Sequence, residues 1–252
     1  MSRLAARLEV LDSVGSTNTA LVGFATADPA AWPSPAVLVT DDQTAGRGRL
    51  GRRWTAPPGT SLAISVLLRP DVPRERLGWL SLLAGTAMAG ALRGLGVAAT
   101  TKWPNDVLIR GRKVCGVLAE ALPDGDGIVI GAGLNHRLTT DQLPVPTATS
   151  LAIEGGPTDP DVLIAAYLSA LSGLLEPFEA AGGDPERGGL RAAVEAACGT
   201  IGHRVRIALP DGSALVGRAV GIDDDGRIEV VRDGVPGRAA IASGDVEHLR
   251  YE

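Results

Sequence analysis

From residue 199 onward the chain changes character, and this limits its architecture more than any other feature. GHRVRIAL, ALVGRAVGI, RIEVV and GRAAI are short strand-like runs, separated by the turn formers PDGS, DDDG and RDGVPG. Evenly spaced short strands with Gly- and Asp-rich turns read as a small β-barrel of roughly fifty residues. Before that point, strand-like runs alternate with much longer helical ones. The chain therefore divides into a mixed α/β unit, 1–198, and an all-β module, 199–252.

Within the first unit, AVLVT (36–40) and TSLAISVLL (60–68) are apolar and β-branched, as buried strands are. AATTKW, 113–122 and 127–135 are further strands, the last two joined by the hairpin turn PDGDG. Residues 76–94, 159–181 and 190–198 carry apolar positions at helical spacing. Ser16 or Thr17 is placed to cap a helix running toward Ala27. No apolar run approaches the roughly 20 residues that cross a bilayer, and the opening residues hold no apolar stretch of signal-peptide length. The expectation is a cytoplasmic protein with no membrane partner. A net charge of -5 argues against general nucleic-acid binding, which needs a basic field. Two cysteines make no disulfide framework, and Cys115, in VCGVLAEAL, reads as a small buried residue rather than a nucleophile. The histidines, His136, His203 and His248, are too scattered for a metal-ligand pair at helical spacing.

Three motifs carry chemistry. The first is QTAGRGRLGRRW, Gln43 to Trp54. Gly46, Gly48 and Gly51 match G-x-G-x-x-G, but a dinucleotide fingerprint needs a strand before it and a helix after it. Here Pro57, Pro58 and Gly59 and then a strand follow, so that reading fails on context. The glycines still let backbone N–H groups approach an anion closely. Arg47, Arg49, Arg52 and Arg53 add forked donors suited to carboxylate and phosphate. Such a loop is expected to be mobile until it closes on a ligand.

The second motif is Lys102-Trp103-Pro104-Asn105-Asp106, followed by Gly111-Arg112-Lys113 and Gly116. Asn105 offers an amide for a base or ribose edge, and Asp106 a carboxylate able to hold Mg²⁺ beside a polyphosphate. Of 24 basic residues only two are lysine, Lys102 and Lys113, and both fall here. Lysine and arginine are not interchangeable at tight sites, so a primary ammonium is wanted at this place. The third motif is Gly131-Ala132-Gly133-Leu134-Asn135, whose small residues let a ligand ring lie against a strand.

Together, and in this order, the motifs resemble the biotin protein ligases. The resemblance runs from Ser16-Thr17-Asn18 through GRGRLGRRW, KWPND, GRKVCGVL and IGAGLN to the C-terminal module. It implies an α+β fold: a mixed β-sheet packed on helices, of the class II synthetase-like biotin/lipoate ligase type, with a small SH3-like C-terminal barrel. It implies the substrates biotin and ATP with Mg²⁺, a biotinyl-5′-AMP intermediate, and transfer to a lysine of a biotin carboxyl carrier domain of an acyl-CoA carboxylase. By resemblance Ser16, Thr17, Asn18 and Gln43 face the biotin ureido ring, and Gly116 and Gly131 line its pocket. The stretch from Gly46 through Gly48 to Gly51 closes over it, with Arg47, Arg49 and Arg52 gripping carboxylate and phosphate. Trp54, Asn105 and Asn135 lie near the adenylate. Lys113 faces the acyl–phosphate junction, with Asp106 as magnesium and catalytic contact. Bifunctional relatives carry an N-terminal helix-turn-helix domain. The fifteen residues ahead of Ser16 are too few for one, so no operator DNA partner is expected. Monomer and homodimer both remain open.

The nearest rival is a lipoate or octanoyl ligase of the same fold, which does not need the GRGRxG and KWPND pair. A rival of another class is a non-catalytic biotin-sensing module. For the ligase, no histidine in the motifs serves the second step as base unless His136 does, and Asp106 is better placed.

Overall fold

The computed structural model describes residues 4–249. Seven strands form the main sheet: β1 (Arg7–Val10), β2 (Ala36–Thr40), β3 (Ser61–Leu68), β4 (Ala99–Lys102), β5 (Asp106–Ile109), β6 (Arg112–Ala121) and β7 (Ile128–Asn135). Their order is β1-β2-β3-β7-β6-β5-β4. Only the β1–β2 pair is parallel, so the sheet is mixed. Two of these strands escape the sequence patterns. β1 is a four-residue edge strand, and β5 follows directly on the KWPND turn; both are too short to display a period.

One face of the sheet is covered by α2 (Trp79–Gly94), α4 (Pro160–Ala180) and α5 (Leu190–Ala197), with the short α3 (Leu151–Glu154) beside them. Helix α4 runs 21 residues at a mean hydropathy of 1.3 over its most apolar stretch. By length and composition alone it would cross a membrane, which corrects the expectation that no such run exists. Its Leu163, Tyr167, Leu171 and Phe178 are buried in the core against the sheet and α2, as in a core helix. On the other face lies α1 (Thr17–Ala27). Ser16 caps it from an extended backbone and accepts from Thr19 N. Its buried residues are Thr17, Asn18, Leu21 and Ala25, so the first turn aims two polar side chains at the sheet.

The C-terminal strands β8 (Arg204–Ala208), β9 (Ala214–Ile222), β10 (Ile228–Arg232), β11 (Arg238–Ile241) and β12 (Asp245–His248) make a second, antiparallel sheet. Its order is β11-β10-β9-β8-β12. The two sheets share one continuous hydrophobic core. Val205, Ile207 and Ala219 belong to the same buried cluster as Trp79, Leu82 and Trp103. Polar contacts add to the junction: Trp79 Nε1 donates to Asp224 O at 2.8 Å, and Trp103 N to Thr200 Oγ1 at 3.1 Å.

Candidate active site

A cavity of about 330 Å³ opens between α1, the 41–59 loop, strands β3, β7, β6 and β5, and the start of β12. Its inner end is uncharged and densely hydrogen-bonded. Thr17 N donates to Gln43 Oε1 at 2.8 Å. Ser65 Oγ lies 2.8 Å from Thr17 Oγ1 and 2.6 Å from Asn18 Oδ1. The amide nitrogen of Gln43 has no partner among the described residues, whereas its oxygen is already used. This end therefore offers both donors and acceptors without net charge, the complement of a urea-like group.

The floor is made by register. Ala63 pairs with Gly133, Gly133 with Gly116, and Gly116 with Asp106, so one row of small residues crosses three strands and ends on the carboxylate of Asp106. The neighbouring row is Ser65, Gly131 and Leu118. These glycines are dictated by what lies over them. A Cβ at Gly131 would sit 2.3 Å from Asn18 Oδ1, and one at Gly133 2.6 Å from the Trp54 indole. Trp54 is held over the floor by its own N–H, which donates to Ser61 Oγ at 3.2 Å.

Lys113 reaches this floor because of a β-bulge. β5 and β6 shift register so that Val107 faces Cys115 while Leu108 faces Lys113, leaving Val114 extra. Residues three apart on a regular strand point to opposite faces; the bulge restores Lys113 to the face of Gly116. There its Nζ lies 2.6 Å from Asp106 Oδ1 and 5.6 Å from the centre of the Trp54 ring.

The outer end is cationic. Arg47 pairs with Glu120 at 2.7 Å. Arg49 donates to Asn105 Oδ1 at 3.3 Å and to Ser243 Oγ at 2.8 Å. Burial works to lower the pKa of Arg49, and the carboxylates of Asp245 and Asp106 work against it. Arg52 pairs with Asp245 of β12. The loop that carries these groups turns through Leu50, a non-glycine residue at φ 55, and Gly51 at φ 73. The segment after β4 passes through a cis Trp103–Pro104 bond before Asn105, whose Nδ2 donates to Val117 O at 2.7 Å.

The cavity thus gathers Ser16, Thr17, Asn18, Gln43, Arg47, Gly48, Arg49, Arg52, Trp54, Asn105, Asp106, Lys113, Gly116 and Gly131. Lys102 joins them, so both lysines of the chain line one space. Gly46 stands just behind the wall, where a Cβ would lie 2.4 Å from Trp54 O. Asn135 does not reach the lining. It is buried at the end of β7, and its Nδ2 donates to Thr149 O at 3.0 Å. His136 is fully buried, with Nδ1 3.2 Å from Thr158 O and burial pushing its pKa down; it is no base for this cavity. Burial pushes the Cys115 thiol up to about 12, in keeping with an inert core residue. Sequence reasoning missed Ser65, Glu120, Ser243 and Asp245. Glu120 had a signal, a lone carboxylate in an apolar strand. The other three lie in the site through long-range packing alone.

Comparison with known proteins agrees with this geometry. The model of the biotin/lipoate A/B protein ligase family matches residues 10–135, and that of the biotin protein ligase C terminal domain matches residues 200–249. The chain is 40% identical over 255 residues to the biotin–acetyl-CoA-carboxylase ligase of Mycobacterium tuberculosis, covering 97% of this chain and 90% of that one. It is 32% identical over 223 residues to the bifunctional ligase/repressor BirA of Bacillus subtilis, covering 85% of this chain and 66% of that protein. Among solved structures, biotin protein ligase from Aquifex aeolicus in complex with biotin and ATP superposes with a TM-score of 0.77 at 28% identity. That match covers 97% of this chain and 99% of the other. With both of its sheets accounted for by these matches, the chain belongs to the biotin/lipoate A/B protein ligase family, among its biotin protein ligases.

Proposed function

We propose that this protein joins biotin to ATP, giving biotinyl-5′-AMP and pyrophosphate, and then passes the biotinyl group to a lysine of a biotin carboxyl carrier domain of an acyl-CoA carboxylase. One observation carries the reading: a single cavity runs from an uncharged donor–acceptor end, over a glycine floor, to a cluster of arginines and a lysine. A urea ring, an aliphatic acid and a polyphosphate fit that sequence of environments in that order.

In the first step a carboxylate oxygen attacks the α-phosphorus, and the bond to pyrophosphate breaks. Both reactants are anions, so neutralisation and alignment are the main tasks. Lys113 stands beside the floor where the two would meet. Arg47 approaches from the acid side, and Arg49 and Arg52 from the nucleotide side, with the indole of Trp54 and the amide of Asn105 as walls. Thr17 and Gln43 orient the ring; Ser16 fixes the helix turn that presents Thr17, and Thr17 N holds the Gln43 amide.

Among the described residues no three His, Cys, Asp or Glu side chains converge on a metal site. Asp106, the carboxylate beside Lys113, suits an ion that arrives on the nucleotide with phosphate and water as its other ligands. Mg²⁺ so held would screen phosphate charge. In the second step the carrier's amine attacks the acyl carbon, AMP departs with its C–O bond electrons, and the amine loses a proton. Asp106 is the carboxylate placed to accept it, once its pairing with Lys113 is relaxed. The free, buried thiols of Cys115 and Cys198 support a reducing, cytoplasmic setting.

ATP–pyrophosphate exchange tests the reading, measured with biotin, with lipoate and with neither. Exchange that depends on biotin is expected. Exchange supported by lipoate alone makes the chain a lipoate ligase, and biotin binding without exchange makes it a sensing module.

A further inference from the structure

One carboxylate beside the cavity belongs to none of the motifs above. Glu120 sits on β6, on the strand face that turns Gly116 and Leu118 to the cavity, and its side chain is 22% exposed. Its Oε1 lies 2.7 Å from Arg47 Nη1, and its Oε2 accepts from Asn18 Nδ2 at 2.9 Å. The same nitrogen donates to Leu118 O at 3.1 Å, so both amide hydrogens are committed.

These contacts set a direction. An ionised carboxylate and a peptide carbonyl only accept, so Asn18 turns its nitrogen to them and its oxygen to Ser65. Ser65 then donates to Asn18 Oδ1, 2.6 Å away, and its single proton is used. Toward Thr17, at 2.8 Å, Ser65 is left with lone pairs only. The order of donors and acceptors at the inner wall is thereby fixed by a carboxylate on the same face of the sheet, just outside the cavity lining.

We infer that Glu120 is a positioning residue with two coupled tasks. It sets the sense of hydrogen bonding in the Asn18–Ser65–Thr17 relay that meets the ligand's uncharged head, and it tethers Arg47 so that the glycine–arginine loop stands over that head. The inference rests on the biotin reading given above and adds a residue to it. Through one carboxylate, the part of the site that reads the ring and the part that grips the acid are held at a common distance.

Two variants separate the tasks. E120Q keeps an oxygen that accepts from Asn18 but loses the charge opposite Arg47; E120A loses both. Biotin affinity is measured by calorimetry on the full chain, and the KM for ATP by pyrophosphate exchange. E120A is expected to weaken biotin binding roughly tenfold and E120Q about threefold, with the KM for ATP unchanged within about twofold. In an R47A background, E120Q is expected to have no further effect, while E120A still weakens binding. The inference is overturned if E120A binds biotin as the wild type does. It is equally overturned if the KM for ATP rises in step with biotin affinity loss, or if the E120Q effect survives in R47A. Wild-type protein that binds no biotin overturns the functional reading itself, whereas wild-type binding with an indifferent E120A overturns only the role of Glu120.

Discussion

At the inner end of the cavity Ser16, Thr17 and Asn18 are each no more than 7% exposed, and Ser65 is fully buried. At the outer end the side chains of Arg47 and Arg52 are 52% and 61% exposed. The inner residues come from a helix cap and a central strand, and their polar atoms bond to one another. The outer residues come from a loop with no hydrophobic anchor of its own between Arg47 and Arg53, and the exposed pair of Arg52 with Asp245 is one that a ligand anion can replace. A buried polar network costs several kcal/mol when half satisfied, so it holds one shape. Exposed ion pairs are worth about 0–1 kcal/mol, so they rearrange readily. On the proposed reading, recognition of the ring is thus built in before the ligand arrives, and the grip on charge is completed by the ligand.

Substitutions can break this contrast. Lys113→Ala removes the ammonium nearest the reacting atoms, and biotin-dependent pyrophosphate release is expected to fall about 10²–10³-fold with circular dichroism unchanged. Wild-type release from that variant would remove Lys113 from the reaction. Arg49→Ala is expected to follow it closely, because Arg49 is the loop cation most withdrawn from water. Gly133→Ala sets a methyl against the Trp54 indole, an overpacking of about 1–3 kcal/mol. Biotin binding by calorimetry should weaken about tenfold; unchanged binding would show that the indole has room to move.

Smaller effects sharpen it. Protease cleavage within residues 44–56 should slow severalfold when biotin and ATP are both present, while cleavage elsewhere stays constant. Equal cutting in both conditions would mean that the loop does not close. Asp245→Asn breaks an exposed pair and should change the KM for ATP less than about threefold. Cys115 should resist alkylation at pH 8, since its thiol titrates near 12, and activity should survive the reagent.

Much of the outer end was legible in the sequence, because its chemistry lies in contiguous strings: glycines alternating with arginines, and a lysine pair in a chain otherwise using arginine. The helix cap at Ser16 and the strand alternation that places Gly131 and Gly133 were legible as well. Ser65 and Asn18 meet only through packing of α1 on β3, and Ser243 and Asp245 arrive from the far end of the chain, so no local pattern announces them. Asn135 is similar: its position at the end of β7 is readable, but the carbonyl that claims its amide is fourteen residues away in sequence.

The bulge at Val114 makes the phase of a strand part of the active site. A relative with the same spacing from Lys113 to Gly116 but no bulge could keep every side chain named here, pair its strands in perfect ladder, and yet swing its ammonium into the hydrophobic layer beneath the sheet. Matching the spacing of that short interval to the register of the strand beside it therefore tells more about whether a homologue can activate an acid than does checking that the lysine is present.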